Sequence, residues 1–146
     1  MPCPSCGVGD PTDPSAYVAV QSISLQTSRD VVMARQAVAR ALKSRGASAI
    51  RTTRFATAVS EIARNAIVHG GGGEITIGFD LASAYLMVEC RDKGRGIADI
   101  PQAMVDGFTT AGGLGRGLGG AKRLADRFEI ITEAGKGTRV RMGVKV

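Results

Sequence analysis

Gly112-Gly113-Leu114-Gly115-Arg116-Gly117-Leu118-Gly119-Gly120 is the stretch whose reading narrows the fold. Glycine this dense is hard to explain structurally, because each one costs backbone entropy near a helix. A glycine loop that runs into a helix N-terminus offers free N–H groups and the positive end of the macrodipole to a phosphate. Arg116 adds a charge suited to a terminal phosphate. The string contains a G-x-G-x-x-G at Gly115, Gly117 and Gly120, but no strand precedes it. The chain before it is the loop Phe108–Ala111, which excludes a dinucleotide-binding βαβ unit. No G-x-x-x-x-G-K-[ST] occurs, so a P-loop fold is excluded too.

Working outward, the spacing of apolar and turn residues predicts the remaining elements. Tyr17 to Gln26 reads as a strand. Ser28 is the expected N-cap of a helix carrying Val31, Val32, Ala34, Val38 and Leu42, which Gly46 ends. A second helix is expected from about Ser48 to Val68, with Ile50, Phe55, Ala58, Val59, Ile62, Ala66 and Ile67 as its buried stripe and the run Gly70–Gly73 as its stop. Glu74–Phe79 and Ala84–Cys90 form a predicted antiparallel hairpin. A glycine-rich turn over 92–97 and a short helix near Pro101–Val105 follow, then the loop 108–116 and a helix over Leu118–Ala125. Strands at Arg127–Glu133 and Thr138–Val144 close the chain. This order predicts an α+β fold, a two-layer sandwich with helices on one face of a mainly antiparallel mixed sheet.

Two further clusters carry chemistry. Glu61-x-x-x-Asn65 lies on the second helix, and a spacing of four puts both side chains on one face. A carboxylate and an amide together can hold a hydrated Mg2+ and orient a nucleophile. Alone, the pair reads more readily as an exposed polar pair on an amphipathic helix. His69 continues the same face and reads as a helix-end residue near the C-terminal dipole. Asp92-Lys93-Gly94-Arg95-Gly96-Ile97 follows a strand directly. Its carboxylate can accept from an exocyclic amine such as adenine N6, and its glycines let backbone approach a flat ring or a phosphate. An ordinary turn leaving a strand is the competing reading.

Composition bounds the function. The chain has 146 residues, which suits one domain with one core, and 44% of them are hydrophobic. Aromatics make up only 4% and Trp is absent, which disfavours strand binding by base stacking. The net charge of +6 suits a polyphosphate or an acidic protein as well as nucleic acid. No apolar run approaches the ~18 residues of a membrane span, and no signal-peptide core is present, so a cytoplasmic protein is expected. Residues 1–15 hold four of the five prolines and read as a disordered leader, with the folded domain over 16–146. Cys3 and Cys6 form a C-x-x-C with no second half, which reads as two free thiols in that leader.

Glu61-x-x-x-Asn65, Asp92-x-Gly94-x-Gly96, Gly113-Leu114-Gly115-x-Gly117 and Gly137-Thr138 resemble, in order, the boxes of the GHKL ATPases. Asp106-Gly107-Phe108-Thr109-Thr110-Ala111-Gly112, with Lys122-Arg123-Leu124-Ala125-Asp126 and Phe128-Glu129-Ile130, resembles the RsbT-like switch kinases and anti-sigma regulatory factors of bacteria. The resemblance spans residues 17 to 146. It implies a GHKL-type ATP-binding fold and a serine/threonine kinase that uses Mg2+ and ATP on a STAS-domain antagonist in a stress-related partner-switching pathway. It implies Glu61 as general base and Asn65 as Mg2+ ligand. Asp92 would read the adenine amine with Thr138 nearby, and Gly94, Gly96 and Ile97 would shape the pocket. Gly113, Leu114, Gly115, Arg116, Gly117 and Leu118 would form the phosphate lid. The alternatives are an anti-sigma factor that sequesters a sigma subunit, and a nucleotide-binding regulator that docks to a PP2C-type phosphatase without turnover. A nucleic-acid-binding domain leaves the glycine boxes unexplained. A histidine kinase is not expected, since no helix with a phospho-accepting His stands in Met1–Ser15.

Overall fold

The computed structural model describes residues 17–80, 82, 84–92, 94, 117–133 and 137–146, with Gly117 and Glu133 described by backbone alone. Five strands, β1 (Tyr17–Leu25), β2 (Gly73–Asp80), β3 (Tyr85–Asp92), β4 (Arg127–Glu133) and β5 (Gly137–Lys145), form one sheet in the order β1-β2-β3-β5-β4. Every pairing is antiparallel, so the mixed character expected of the sheet has no parallel pair among the described strands. Three helices, α1 (Ser28–Ser44), α2 (Ala49–Gly70) and α3 (Gly117–Arg123), accompany it. The short helix expected near 101–105, the leader 1–15 and the loop 108–116 lie outside the described residues.

Strand alternation decides which face the helices cover. Ile75 pairs with Cys90, Cys90 with Val140, and Val140 with Ile130. One step along, Ile77, Val88, Met142 and Phe128 make the next row. These rows join Leu25, Val38, Leu42, Phe55, Val59, Ile62 and Leu118 in one core. Burying each large aliphatic or aromatic side chain there contributes about 1.5–3 kcal/mol, which anchors the helices to that face. Ile50, expected in the buried stripe of α2, is exposed instead: at about 100° of rotation per residue it falls on the side of the helix opposite Val59, and Thr52 continues the stripe in its place.

The helix ends follow from local hydrogen bonding. The cap of α1 is Thr27, not Ser28, because Asp30 Oδ2 accepts from the N–H groups of Gln26 (2.8 Å) and Thr27 (3.0 Å). Gly46, at φ 79°, ends α1 through the Ala47 N–H to Leu42 O bond of 3.1 Å. Ser48 caps α2 by accepting from the Arg51 N–H at 3.1 Å. That helix runs two residues past the expected Val68, to Gly70, before Gly71 turns left-handed at φ 71°.

The face turned away from the helices carries a charged group beside the buried Tyr17 and Met87. Its centre is Glu89, only 2% exposed, whose carboxylate accepts from Arg91 Nε (2.5 Å) and Arg141 Nε (2.6 Å). Two guanidinium donors satisfy a carboxylate that would be costly to bury alone. Asp80 Oδ1 accepts from the Ala84 and Tyr85 N–H groups and holds the β2–β3 connection. Among the described residues, no helix is long and apolar enough to cross a membrane.

Two outcomes test this account. The Gln26 and Thr27 N–H groups hold the Asp30 carboxyl below its usual value of 3.8. A depressed carboxylate contributes stability above its unfolded pKa and loses it as pH falls through the folded one. Asp30→Ala should therefore lower the melting temperature near neutral pH, with the gap to the parent closing below that value; a pH-independent gap contradicts the cap. Cys90 is buried, and burial, then Asp92 and Glu89, push its thiol up to about 12. In a Cys3→Ser/Cys6→Ser variant, a thiol reagent at mildly alkaline pH should label Cys90 only as fast as the protein unfolds. Prompt labelling of the native protein contradicts the burial.

Candidate active site

The C-terminal half of α2 carries the polar pair. Its buried stripe includes Phe55, Val59, Ile62 and Ala66, which fixes the rotation of the helix about its axis. That rotation leaves Glu61 and Asn65, one turn apart, at the half-buried margin of the helix. Glu61 Oε1 meets Arg64 Nη1 at 3.3 Å, and the Glu61 side chain is 12% exposed. Arg64, which the sequence did not single out, orients the carboxylate; at 39% exposure it adds little stability. His69 stands exposed in the last turn, as a helix-end residue would.

Asp92 ends β3 on the helix-covered face, in phase with Leu86, Val88 and Cys90. Its Oδ1 accepts from the Gly94 N–H at 2.9 Å. On one side Asp92 pairs with Gly73 of β2. On the other, Arg91 pairs with Arg139, so Thr138 stands one residue past that pair, at the same end of the sheet as Asp92. The Thr138 hydroxyl lies 3.2 Å from that of Thr132. The sheet thus brings Asp92 and Thr138 together, and the helix brings Glu61 and Asn65 together.

Helix and sheet meet at the glycines. A Cβ on Gly94 would come within 2.6 Å of Gly70 Cα and 3.0 Å of the His69 carbonyl. Gly94 therefore lets backbone approach closely, and the partner seen is the end of α2 rather than the ring or phosphate that the sequence suggested. Gly117 opens α3, and Leu118 is buried in the core, so only its backbone could meet a ligand. Gly96, Ile97, Gly113, Leu114, Gly115 and Arg116 lie outside the described residues.

The donor set suits a nucleotide with its magnesium. Asn65 carries an amide oxygen that a cation accepts, Glu61 carries a carboxylate one turn away, and Asp92 supplies an acceptor where Gly70 and Gly94 let helix and sheet touch. Among the described residues no three His, Cys, Asp or Glu side chains group to hold a metal by themselves. Magnesium is commonly held by one or two protein oxygens and the phosphates of its substrate, which fits such a set.

Comparison with known proteins gives the family. Residues 25–144 match the family model of the histidine kinase-like ATPase domain. The chain is 41% identical over 120 residues to the serine/threonine-protein kinase RsbT of Bacillus subtilis, covering 81% of this chain and 90% of that one. It is 36% identical over 96 residues to an anti-sigma F factor of Clostridium botulinum, covering 61% and 67% of the two. Among solved structures, the RsbU and RsbW domains of a Mycobacterium tuberculosis protein superpose with a TM-score of 0.61 at 20% identity. That likeness covers 86% of this chain but 31% of the two-domain chain, and it supports the fold alone. With the matched residues running from the end of β1 into β5, the chain belongs to the histidine kinase-like ATPase domain family.

Proposed function

We propose that the chain is a serine/threonine protein kinase that binds Mg2+ and ATP and phosphorylates a STAS-domain antagonist in a cytoplasmic partner-switching pathway. The observation that carries this reading is the placement of Glu61 and Asn65 on the helix whose end contacts Asp92. The 41% identity to RsbT supports the choice of a protein hydroxyl as acceptor.

Bound Mg2+ and ATP supply the transferable phosphoryl group and the charge that neutralises it. The chain's own residues do the positioning. Asn65 offers its amide oxygen to the metal. Asp92 offers its carboxylate to the amine of the base, with Thr138 at hand. Glu61 takes the proton of the attacking serine or threonine hydroxyl on a carboxylate oxygen, the role that Arg64 orients it for. Gly113, Gly115 and Gly117 would present backbone N–H groups to the phosphates, and Arg116 would add charge. Catalysis of this kind rests on orientation and charge more than on covalent help.

The identity to anti-sigma F factors favours one second reading, in which the same domain sequesters a sigma subunit and uses phosphorylation for release. A PP2C-type phosphatase is the further partner such a pathway implies.

Glu61→Ala should bind ATP as the parent does while phosphate transfer to a STAS-domain protein falls about a hundredfold to ten-thousandfold, the usual worth of a general base. Labelled ATP reads the transfer, and calorimetry the binding. Normal transfer by the variant removes Glu61 from the chemistry. Capture of a sigma subunit, with no transfer to any STAS-domain protein, moves the assignment to the second reading.

A further inference from the structure

The run Gly70–Gly73 does more than end α2. Three of its glycines answer backbone needs. Gly71 and Gly72 have φ of 71° and 114°, and a Cβ on Gly73 would strike the Arg91 carbonyl of the neighbouring strand. Gly70 is different. It is the last residue of α2, outside the left-handed region, where alanine would favour the helix. The nearest atoms a Cβ there would meet all belong to Asp92, with its Cβ at 2.5 Å and its Oδ1 at 2.8 Å.

Asp92 has little room to step aside. Its backbone is paired to Gly73, and its Oδ1 holds the Gly94 N–H. Gly94 in turn rests on Gly70 Cα and the His69 carbonyl. Residues 70, 92 and 94 interlock, and the carboxylate stands where the missing side chain of residue 70 would be.

We propose that Gly70 is a positioning residue for the Asp92 carboxylate, and so sets the preference of this site for a purine bearing an amine over one bearing a carbonyl. The proposal rests on the nucleotide reading given above. A side chain at residue 70 would turn the carboxylate away from the base. An amine donor such as that of adenine then loses its acceptor, and a carbonyl such as that of guanine is no longer repelled.

The test titrates Mg·ATP and Mg·GTP calorimetrically into the full chain and three variants, with thermal melts of each. The parent should prefer ATP by about tenfold or more, the worth of one well-placed hydrogen bond. Asp92→Asn and Gly70→Ala should both bring the two affinities toward parity. Gly71→Ala is strained by its φ but meets nothing within 4 Å, so it should lose melting temperature and keep the preference. If Gly70→Ala keeps the preference that Asp92→Asn loses, or if Gly71→Ala loses it as well, the seat is wrong. If Asp92→Asn keeps the preference, the base reading fails and the proposal falls with it. Should Gly70→Ala not fold, Gly70→Ala/Asp92→Gly decides: recovery of the fold supports the seat, and continued unfolding overturns it.

Discussion

A helix lying on a sheet can rotate about its own axis only until its apolar stripe is buried. For α2 that stripe is Phe55, Val59, Ile62 and Ala66, set against Ile75, Val88 and Met142. One residue is about 100° of rotation, so a slip of one position would carry a leucine-sized residue into water. The loss of several kcal/mol would forbid it. The phase is therefore fixed by the core, and the half-buried margin where Glu61 and Asn65 stand is a consequence of it. The candidate chemistry depends on a packing decision made by residues that take no part in the chemistry.

The sheet makes the matching decision for Asp92. Its register with Gly73, and that of Arg91 with Arg139, bring Asp92 and Thr138 to one end of neighbouring strands. A one-residue slip would turn Asp92 to the other face, where Glu89, Arg91 and Arg141 already form a closed ionic group. Gly70 and Gly94 then let the two layers touch. Helix phase, strand register and the absence of two side chains together define the candidate site.

Much of this was legible in the sequence because it is periodic or local. The 3.6-residue recurrence of α2 and the alternation of β2 and β3 give the layers, and Gly46 and Ser48 mark helix ends by known capping chemistry. The start of α1 and the end of α2 differ from expectation for one reason: a cap depends on a partner three or more residues away. Asp30 moves the cap of α1 to Thr27, and the Gly72 N–H to Ala66 O bond carries α2 to Gly70. Ile50 matches the stripe in apolar character alone; at about 100° per residue it lies on the side of α2 opposite Val59. The importance of Gly70 was hidden likewise. A glycine after a helix reads as a stop, and only the crossing of α2 with the end of β3, 22 residues later, shows what its missing side chain makes room for. Arg64 beside Glu61 was readable from i, i+3 spacing, and so was a signal available but unused.

The central claim is that one nucleotide site is assembled where the end of α2 meets the ends of β3 and β5. Backbone amide resonances of the full chain, followed by NMR during titration with Mg·ATP, test it most directly. The account predicts saturable shifts concentrated at Glu61, Asn65, Gly70, Asp92, Gly94 and Thr138. The outer-face residues Glu89 and Arg141, and the first turn of α1, should stay unmoved. Saturable shifts centred on that outer face, or no shifts at any concentration of Mg·ATP, would contradict it.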